Sequence, residues 1–346
     1  MRRYDYSFLK NSIPGNLVGM SNTVADLNAK EKFRILNNAQ LFEAMRQKSV
    51  VESVKGSNAI EGVVATDERI RDIVKGSKPV THDEKEISGY KDALNLIHTG
   101  HKELDLSAEL IRRFHKMMLN DTSPVEAGRF KTRDNLIMEY SPSGERRIRF
   151  KPVGSSETEK SVEQMILAYV EARQRPDIPA LFLIPCVVLD FLCIHPFTDG
   201  NGRISRLMTV LLLYIHGYDI CKYISFEACT EKYKEAYYKA LEKSSIGWHQ
   251  NQNNYESFMV FFLQVLYRCY KDLDDNFIEI SLKKASKTER IETILMNAIV
   301  PISKMQVLEK VPDTSVRTVE YVLQNLLKEN KIRKIGTYKN ARYIKI

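Results

Sequence analysis

Residues 195–206, which we call the glycine loop, combine residue types that bind phosphate groups. Gly200 and Gly202 flank Asn201, and glycine allows positive φ angles and a close approach of the main chain to a bulky anion. Asparagine also tolerates the left-handed region. Because apolar runs flank the loop on both sides, we expect one buried helix before it and another after it. The free N–H groups at the start of the second helix would favour a phosphate.

Four other side chains of the glycine loop suit reactions of a bound polyphosphate. Arg203 and Arg206 are three positions apart, so they would lie on nearly the same face of the second helix and reach phosphate oxygens. The carboxylate of Asp199 is the type of ligand that Mg²⁺ prefers. The imidazole of His195 is a titratable base at the entrance of the loop. Taken alone, these residue types leave a purely structural corner between two helices as an alternative.

The glycine loop also resembles the signature of a known protein family. Neither the third glycine of G-x-G-x-x-G nor the Walker pattern G-x-x-x-x-G-K-[ST] is present. The loop instead resembles the Fic family signature, H-x-F-x-[D/E]-G-N-G-R-x-x-R, at all eight specified positions. Most Fic proteins transfer AMP from ATP to a hydroxyl side chain of a target protein. The resemblance implies the same adenylyltransferase reaction here, with ATP as substrate, Mg²⁺ as the metal and a Ser, Thr or Tyr hydroxyl as the acceptor.

The resemblance also implies a role for each matching residue. These roles are His195 as the general base, Phe197 as the buried anchor of the loop, Asp199 as the Mg²⁺ ligand, Gly200, Asn201 and Gly202 as the anion-binding turn supported by Arg203, and Arg206 as the partner of the γ-phosphate. Tyr237 and Tyr238, further along the chain, are predicted to line the adenine and ribose pocket. An ordinary aromatic core is the alternative for these two tyrosines.

Residues 57–62 resemble the inhibitory pattern of the Fic family, [S/T]-x-x-x-E-[G/N]. Ser57 and Glu61 are one helical turn apart and would face the same way. The resemblance implies that the carboxylate of Glu61 pairs with the guanidinium of Arg206, which then cannot hold the γ-phosphate in the same geometry. We therefore expect an enzyme that inhibits itself in cis. The family also offers a second role for Glu61, the orientation of a water that removes AMP from a modified target.

The elements that must position these residues are mainly helical. Hydrophobic spacing and capping residues predict helices near residues 24–58, 108–119, 158–174, 178–194 and 230–244. Residues 133–152 differ, because two short segments, 136–138 and 147–150, flank Ser141-Pro142-Ser143-Gly144 and predict a β-hairpin. Such a hairpin is either a surface decoration or, as the resemblance implies, a flap that docks the target protein by strand addition.

Residues 281–346 carry the excess positive charge of the chain. They hold 14 Lys and Arg against 6 Asp and Glu, a net charge of +8, and the whole chain, with 52 against 44, also has +8. The pattern predicts helices at 287–298, 303–310 and 316–330 and paired strands at 331–335 and 342–346, an order that resembles a winged-helix domain. The residues that such a domain would offer to DNA are Arg317, Thr318, Gln324 and Lys328 on the third helix, with Lys339 and Arg342 on the wing. A domain that binds protein or only packs internally is the alternative.

The whole chain is therefore predicted to be mainly α: a Fic-type helical core with a β-hairpin flap, followed by a small α+β winged-helix domain. We expect an N-terminal helical region with the inhibitory motif at 1–105, the catalytic core at 106–275 and the winged helix at 283–346. The 346 residues contain no targeting segment or membrane-spanning run, and the five cysteines form no C-x-x-C pair. These features favour a cytoplasmic protein, and a homodimer is left open.

Two other functions compete with the adenylyltransferase hypothesis. The first is a DNA-binding regulator whose Fic-like body is a sensor or has lost its activity. The second is a transferase that uses another phosphate-containing donor. The complete glycine loop favours an active enzyme, since a decayed one would be expected to lose His195 or Asp199.

Overall fold

The structure, a computed structural model, describes all residues of the chain except 1, 12, 38, 141–145, 283–285, 299 and 338–340. The chain divides into two compact units, Met1–Tyr270 and Lys271–Ile346. Helices dominate the described residues, which confirms the predicted mainly α class. None of these helices is both long enough and apolar enough to cross a bilayer.

The first unit is a helical body with a β-hairpin inserted after its fifth helix. Its helices are α1 (Gly15–Asn37), α2 (Ala39–Ile60), α3 (Asp67–Val74), α4 (His82–Gly100), α5 (Ala108–Leu119), α6 (Thr158–Arg173), α7 (Ala180–Ile194), α8 (Asn201–Ile215), α9 (Phe226–Lys232), α10 (Lys234–Ser245) and α11 (Glu256–Leu282), the last of which continues past the boundary of the unit. Its strands are β1 (Ile137–Tyr140) and β2 (Arg146–Phe150). The helix predicted at 108–119 has the same bounds in the structure, because Ser107 caps it by accepting the N–H of Leu110 at 3.1 Å.

Helices α7 and α8 form the buried centre of the first unit, since nearly every residue of both is buried. A helix that is apolar on all sides is stable only inside a protein, so the other elements pack around this pair. Residues 195–200 of the glycine loop join α7 to α8, and residues 201–206 form the first turns of α8. α7 begins at Ala180 rather than at 178 because Pro179 caps it with an extended backbone.

The structure divides the helix predicted at 230–244, and residue 38, between α1 and α2, lies outside the described residues. Residues 24–58, where one or two helices are expected, belong to α1 and α2. Residues 230–244 belong to α9 and α10, which Tyr233 separates with a non-helical φ of −112° and ψ of 31°. No proline or glycine stands at this break, so the sequence contains no clear signal for it.

Strands β1 and β2 pair antiparallel, which confirms the predicted hairpin. The register shifts within the pair: Met138 lies opposite Ile148, whereas Ile137 lies opposite Phe150. Arg149 therefore has no opposite residue on β1. Such a β-bulge bends its strand and redirects the side chain that it carries.

The second unit contains three helices and a three-stranded sheet after α11. The elements are α12 (Lys287–Asn297), β3 (Ile302–Ser303), α13 (Lys304–Lys310), α14 (Val316–Lys328), β4 (Ile332–Ile335) and β5 (Arg342–Lys345). The strand order is β3-β5-β4, with both pairs antiparallel, and an apolar core joins helices and sheet. The two-residue strand β3 was not predicted, and the assignment of the unit to the winged-helix class stays a prediction. The predicted turn residues Ser141, Pro142, Ser143 and Gly144 and the wing residue Lys339 lie outside the described residues.

Candidate active site

A cavity of about 510 Å³ lies where the glycine loop, the β-hairpin and α10 approach each other. Its lining includes the predicted site residues Glu61, His195, Gly202, Tyr237 and Tyr238 and the hairpin residues Ile137, Met138, Arg149 and Phe150. Segments that are far apart in the sequence therefore meet at one cavity. The hairpin is part of the cavity wall rather than a decoration of the surface.

His195 ends α7 with a left-handed backbone, at a φ of 51° and a ψ of 61°. This region is uncommon for a residue other than glycine, and strained residues of this kind cluster at functional sites. The carbonyl of Leu192 can only accept a hydrogen bond, so Nδ1 of His195, 3.3 Å away, carries the proton and Nε2 keeps its lone pair. Burial lowers the pKa of His195 to about 4. The imidazole is thus neutral at pH 7 and able to accept a proton through Nε2.

Two reciprocal hydrogen bonds fix the turn of the glycine loop. The N–H of Phe197 donates to Oδ1 of Asn201 at 2.9 Å, and Nδ2 of Asn201 donates back to the Phe197 carbonyl at 2.8 Å. The side-chain amide of Asn201 therefore holds the backbone of its own loop in place. The ring of Phe197 is fully buried and stacks on the imidazole of His115 with 3.8 Å between the ring centroids.

His115 of α5 holds the loop from outside, although the sequence analysis did not single it out. The N–H of Gly128 donates to Nδ1 of His115 at 2.9 Å, so Nε2 carries the proton and donates to the Asp199 carbonyl at 3.1 Å. Burial lowers the pKa of His115 to about 4, which keeps this neutral form at pH 7. A histidine on the apolar face of a helix was the available signal.

The segment before the hairpin supports the loop along its backbone. The N–H of Lys131 donates to the carbonyl of Pro196 at 2.8 Å, and its ammonium donates to the carbonyl of Ile194 at 3.2 Å. Nδ2 of Asn135 donates to the carbonyl of Phe197 at 3.2 Å. Burial lowers the pKa of Lys131 to about 8. No sequence pattern pointed to these residues, because their contacts exist only after the chain has folded.

The backbone at the start of α8 requires glycine at Gly200, and Gly202 leaves room for the side chain of Glu61. Gly200 has a φ of 78°, and a Cβ atom there would lie 3.1 Å from Cε of Met118. A Cβ atom at Gly202 would lie only 2.0 Å from Oε1 of Glu61. The carboxylate of Glu61 therefore rests against the first turn of α8, where unpaired N–H groups favour an anion.

Arg203 is buried and connects two acidic residues. Its guanidinium donates to Oε2 of Glu86 and, at 3.3 Å, to Oδ2 of Asp199. Glu86 of α4 is itself buried, and the sequence analysis missed it. Arg203 is therefore placed to orient the carboxylate of Asp199, consistent with a supporting position.

Asp199 has the chemistry that suits a magnesium ion at this site. Its side chain is 69% exposed, so its carboxylate is accessible. Elsewhere among the described residues, as here, no group of three or more His, Cys, Asp or Glu could hold a metal ion. Mg²⁺ at nucleotide sites is commonly held by one or two carboxylates together with the phosphates. A single accessible carboxylate therefore fits a magnesium ion that arrives with a polyphosphate.

Arg206 is buried in contacts with the two residues of the predicted inhibitory motif. Its Nε donates to the hydroxyl of Ser57 at 2.8 Å, and its second terminal nitrogen donates to the Ser57 carbonyl at 2.9 Å and to Oε1 of Glu61 at 2.8 Å. The remaining nitrogen, NH1, is buried without a hydrogen-bond partner among the described residues. The structure thus contains the pair between Glu61 and Arg206 that the sequence led us to expect.

Tyr237 and Tyr238 of α10 line the cavity side by side, with 5.3 Å between their ring centroids. Tyr237 is buried and also packs against Phe258 and Phe261 of α11. It therefore belongs both to the aromatic core and to the cavity wall. The guanidinium of Arg149 lies 5.6 Å from the centroid of the Tyr238 ring.

Residues 105–213 match the sequence model of the Fic/DOC family. A protein adenylyltransferase Fic of Nematostella vectensis is 26% identical over 171 residues, which cover 47% of this chain and 37% of that protein. Protein adenylyltransferase fic-1 of Caenorhabditis elegans is 26% identical over 208 residues, 58% of this chain and 38% of that protein. The chain thus spans less than two fifths of the curated relatives that it matches.

Solved structures share the fold. A Fic family protein from Desulfovibrio desulfuricans G20 matches with a TM-score of 0.63 and 16% identity, over 97% of this chain and 98% of that one. A Fic domain containing signaling protein from Bacteroides thetaiotaomicron VPI-5482 matches with a TM-score of 0.58 and 20% identity, over 74% of this chain and 93% of that one. At such identities the likeness concerns the fold alone.

Proposed function

We propose that this protein is a protein adenylyltransferase, which transfers AMP from ATP to a Ser, Thr or Tyr hydroxyl of a target protein. The match of residues 105–213 to the Fic/DOC family and the similarity to curated adenylyltransferases support the proposal. The observation that carries the proposal is the neutral imidazole of His195 in the same cavity as Gly202, in the first turn of α8. A base beside an anion site is what the transfer of a nucleotidyl group to a hydroxyl requires.

In the proposed reaction, Nε2 of His195 removes the proton of the acceptor hydroxyl while the hydroxyl oxygen attacks the α-phosphorus of ATP. The bond from the α-phosphorus to the oxygen that bridges to the β-phosphate breaks, and pyrophosphate leaves with the electron pair. The new ester bond joins AMP to the target. The protein contributes mainly position and positive charge, which the first turn of α8 and Arg206 supply.

Asp199 is the residue that would hold Mg²⁺, and Arg203 would keep its carboxylate in place. When bound with ATP, Mg²⁺ would neutralise part of the phosphate charge. Asn201 and Phe197 keep the turn of the loop closed through their reciprocal hydrogen bonds, so the N–H groups of α8 point to a fixed place.

We also propose that Glu61 inhibits the transfer. Its carboxylate rests on the first turn of α8 and holds Arg206 at 2.8 Å, so it uses both groups that would align the phosphates of ATP. Ser57 takes two further hydrogen bonds from Arg206 and fixes the same arrangement. ATP could enter the cavity, but its γ-phosphate could not bind Arg206, because the guanidinium is already paired with Glu61.

The test is to replace Glu61 by glycine and to follow the covalent attachment of AMP. The full-length Glu61→Gly protein is incubated with Mg²⁺ and ATP radiolabelled at the α-phosphate, with and without a cell lysate as a source of targets. We expect labelling to rise roughly tenfold or more over the unsubstituted chain, since a charged hydrogen bond to Arg206 is lost. Intact-mass analysis should show the addition of AMP.

The control is the Glu61→Gly protein that also carries His195→Ala, which should show no label. Equal labelling in both proteins would contradict the role of His195 as the base. Unchanged labelling on loss of Glu61 would contradict the inhibition, and a mass increase other than AMP would indicate another donor. The labelled product also tests AMP removal, which the unsubstituted chain should catalyse if Glu61 orients a water.

A second proposed function, DNA binding, is favoured by the surface of α14 in the second unit. Arg317, Tyr321, Gln324 and Lys328 follow one another at intervals of three or four residues, so they form one stripe along the helix, and all four are exposed. Their side chains offer positive charge and hydrogen-bond donors, which bind the phosphates and base edges of nucleic acids. Thr318, predicted to be exposed, is half-buried because its hydroxyl contacts the capping Ser315.

The positive charges of the second unit fall into two groups. Lys304, Lys310 and Arg290 are paired with acidic side chains. Within the described residues, none of the ion pairs of this unit involves Arg317, Lys328, Arg333 or Arg342, on α14, β4 and β5. Their charge is therefore free to attract a polyanion.

A further inference from the structure

Arg149 occupies an unusual position in the β-hairpin. The register of the two strands skips it, because Ile148 lies opposite Met138 and Phe150 lies opposite Ile137. A bulge of this kind turns a side chain away from the direction that regular pleating would give it. In this hairpin, Arg149 is part of the cavity lining, whereas Arg147, two residues earlier, is paired with Glu242 at 3.2 Å.

The guanidinium of Arg149 has almost no polar partner of its own. Its Nε atom is buried without a hydrogen bond, and no carboxylate among the described residues pairs with it. The guanidinium carbon lies over the ring of Tyr238, 5.6 Å from its centroid. A half-buried cation that lacks partners is costly unless a ligand supplies them.

The charge of the cavity lining indicates which kind of ligand would supply polar partners to Arg149. Glu61 and Arg149 are the charged side chains of the lining, and Glu61 is already paired with Arg206 at 2.8 Å. Arg149 also disfavours the protonated form of His195, so the two groups are close enough to interact electrostatically. The uncompensated positive charge therefore lies near the base, on the hairpin side of the cavity.

We propose that Arg149 binds the α-phosphate of the nucleotide from the hairpin side, opposite the first turn of α8. This inference rests on the proposed adenylyl transfer, because the α-phosphate is then the group next to His195. A guanidinium at this place would hold the reacting phosphate by charged hydrogen bonds. It would also stabilise the negative charge on that phosphate as the acceptor oxygen attacks.

The test measures nucleotide binding rather than transfer, so it does not depend on a target protein. In full-length protein with Glu61→Gly, unlabelled ATP, AMP and adenosine displace a fluorescent ATP analogue. Arg149→Met removes the charge and keeps the length of the side chain. We expect the affinities for ATP and AMP to fall about tenfold, the value of one charged hydrogen bond, and the affinity for adenosine to remain unchanged.

The matched control is Arg147→Met on the same strand, which should leave all three affinities unchanged. Arg149→Lys, which retains the charge, should keep most of the AMP affinity. Arg149→Gln, which also removes the charge, replaces Arg149→Met if that variant does not fold. An equal loss for AMP and adenosine would overturn the proposal in favour of a contact with the base. A loss for ATP but not for AMP would place Arg149 at the outer phosphates, and no loss at all would also overturn it.

The binding and transfer experiments can fail separately. If AMP affinity depends on Arg149 but no variant attaches AMP to protein, the adenylyltransferase proposal fails and the phosphate contact stands. If Glu61→Gly attaches AMP while Arg149→Met binds AMP normally, the adenylyltransferase proposal stands and the phosphate contact of Arg149 fails.

Discussion

At the scale of single residues, the site depends on a histidine that stays neutral. His195 is held by burial at a pKa of about 4, well below the ordinary value of 6.5. The unprotonated form is the one that can act as a base. His115, with a pKa also near 4, donates through Nε2 to the Asp199 carbonyl and would have to break this arrangement in order to change its charge.

The low pKa of His195 predicts the pH dependence of transfer. In the Glu61→Gly protein, the rate at saturating ATP should stay nearly constant from about pH 7 down to about 5 and fall only as pH approaches 4. A histidine with the ordinary pKa of 6.5 would lose half its activity at pH 6.5. The measurement is the initial rate of AMP attachment across this range, and a midpoint near 6.5 would contradict the assignment.

Stability must be followed in the same range, because burial of neutral histidines also affects folding. His98, His115, His195 and His216 all have a pKa lowered to about 4 by burial. Between pH 6.5 and about 4 the unfolded chain binds more protons than the folded one, so the free energy of unfolding falls as pH falls. Circular dichroism at each pH therefore separates loss of fold from loss of the base.

The residues of the glycine loop could be selected from the sequence because a short segment contains them all. The residues that hold the loop in place could not be selected in this way. His115, Lys131 and Glu86 hold the loop by hydrogen bonds that cross many positions of the chain, and each has a residue type that is common in helices or loops without such a task. Only packing brings these partners together.

At the scale of elements, the inhibitory motif depends on how α2 packs against α9. A Cβ atom at Gly56 would lie 2.7 Å from Cα and 2.8 Å from N of Ala228, so only glycine permits this approach. The hydroxyl of Ser53 donates to the buried carboxylate of Glu227 at 2.8 Å and joins the same two helices. Because Gly56 precedes Ser57, the packing of α2 sets the distance from the motif to Arg206.

Gly56→Ala should therefore weaken the inhibition without changing any residue of the motif. The added methyl group would push α2 away from the backbone of α9, at a cost of about 1–3 kcal/mol in stability. Ser57 and Glu61 would move with the helix, and the hydrogen bonds to Arg206 would lengthen. We expect AMP attachment per folded molecule to rise, although less than in Glu61→Gly, as measured by label from radiolabelled ATP.

Gly89→Ala is the matched control for this prediction. A Cβ atom at Gly89 of α4 would lie 2.5 Å from the carbonyl oxygen of Met117 on α5, which is a clash of similar severity. This substitution should destabilise the protein without releasing Glu61, so AMP attachment should not increase. Activation by both substitutions would indicate a general loosening of the fold instead of a release of α2.

The elements themselves could be predicted where spacing and caps agree. The bounds of α5 follow from Ser107 and the apolar spacing, and α4 has a capping box, formed by Thr81 and Glu84, that the sequence analysis did not use. The bulge at Arg149 could not be predicted, because no glycine marks it and its register depends on the partner strand. Its consequence for the site became visible only in the folded hairpin.

At the scale of the whole molecule, the excess positive charge is concentrated in the last part of the chain. Residues 281–346 have a net charge of +8, and the other 280 residues are balanced, since the whole chain also has +8. An uneven distribution of this size gives a long-range attraction to polyanions that falls as salt screens it. The sequence predicted this asymmetry directly, but only the structure separates the paired cations from the unpaired ones.

DNA binding by the full chain should therefore depend on the unpaired cations. We expect labelled double-stranded DNA of mixed sequence to bind, with an affinity that falls as salt rises. In the triple variant Arg317→Gln, Lys328→Gln and Arg342→Gln, the slope of log affinity against log salt should decrease by about 0.9 for each phosphate contact that is lost. Fluorescence anisotropy over a series of salt concentrations measures both quantities.

The control removes the same charge from cations that already have acidic partners. It is the triple variant Arg290→Gln, Lys304→Gln and Lys310→Gln, whose side chains pair with Asp313, Glu320 and Asp275. A paired cation has little free charge to offer a phosphate, so the salt slope should change much less than in the first variant. If both variants weaken binding equally, net charge alone attracts the DNA and the stripe on α14 is not a binding face. If the unsubstituted chain does not bind, the second unit has a task other than contact with DNA.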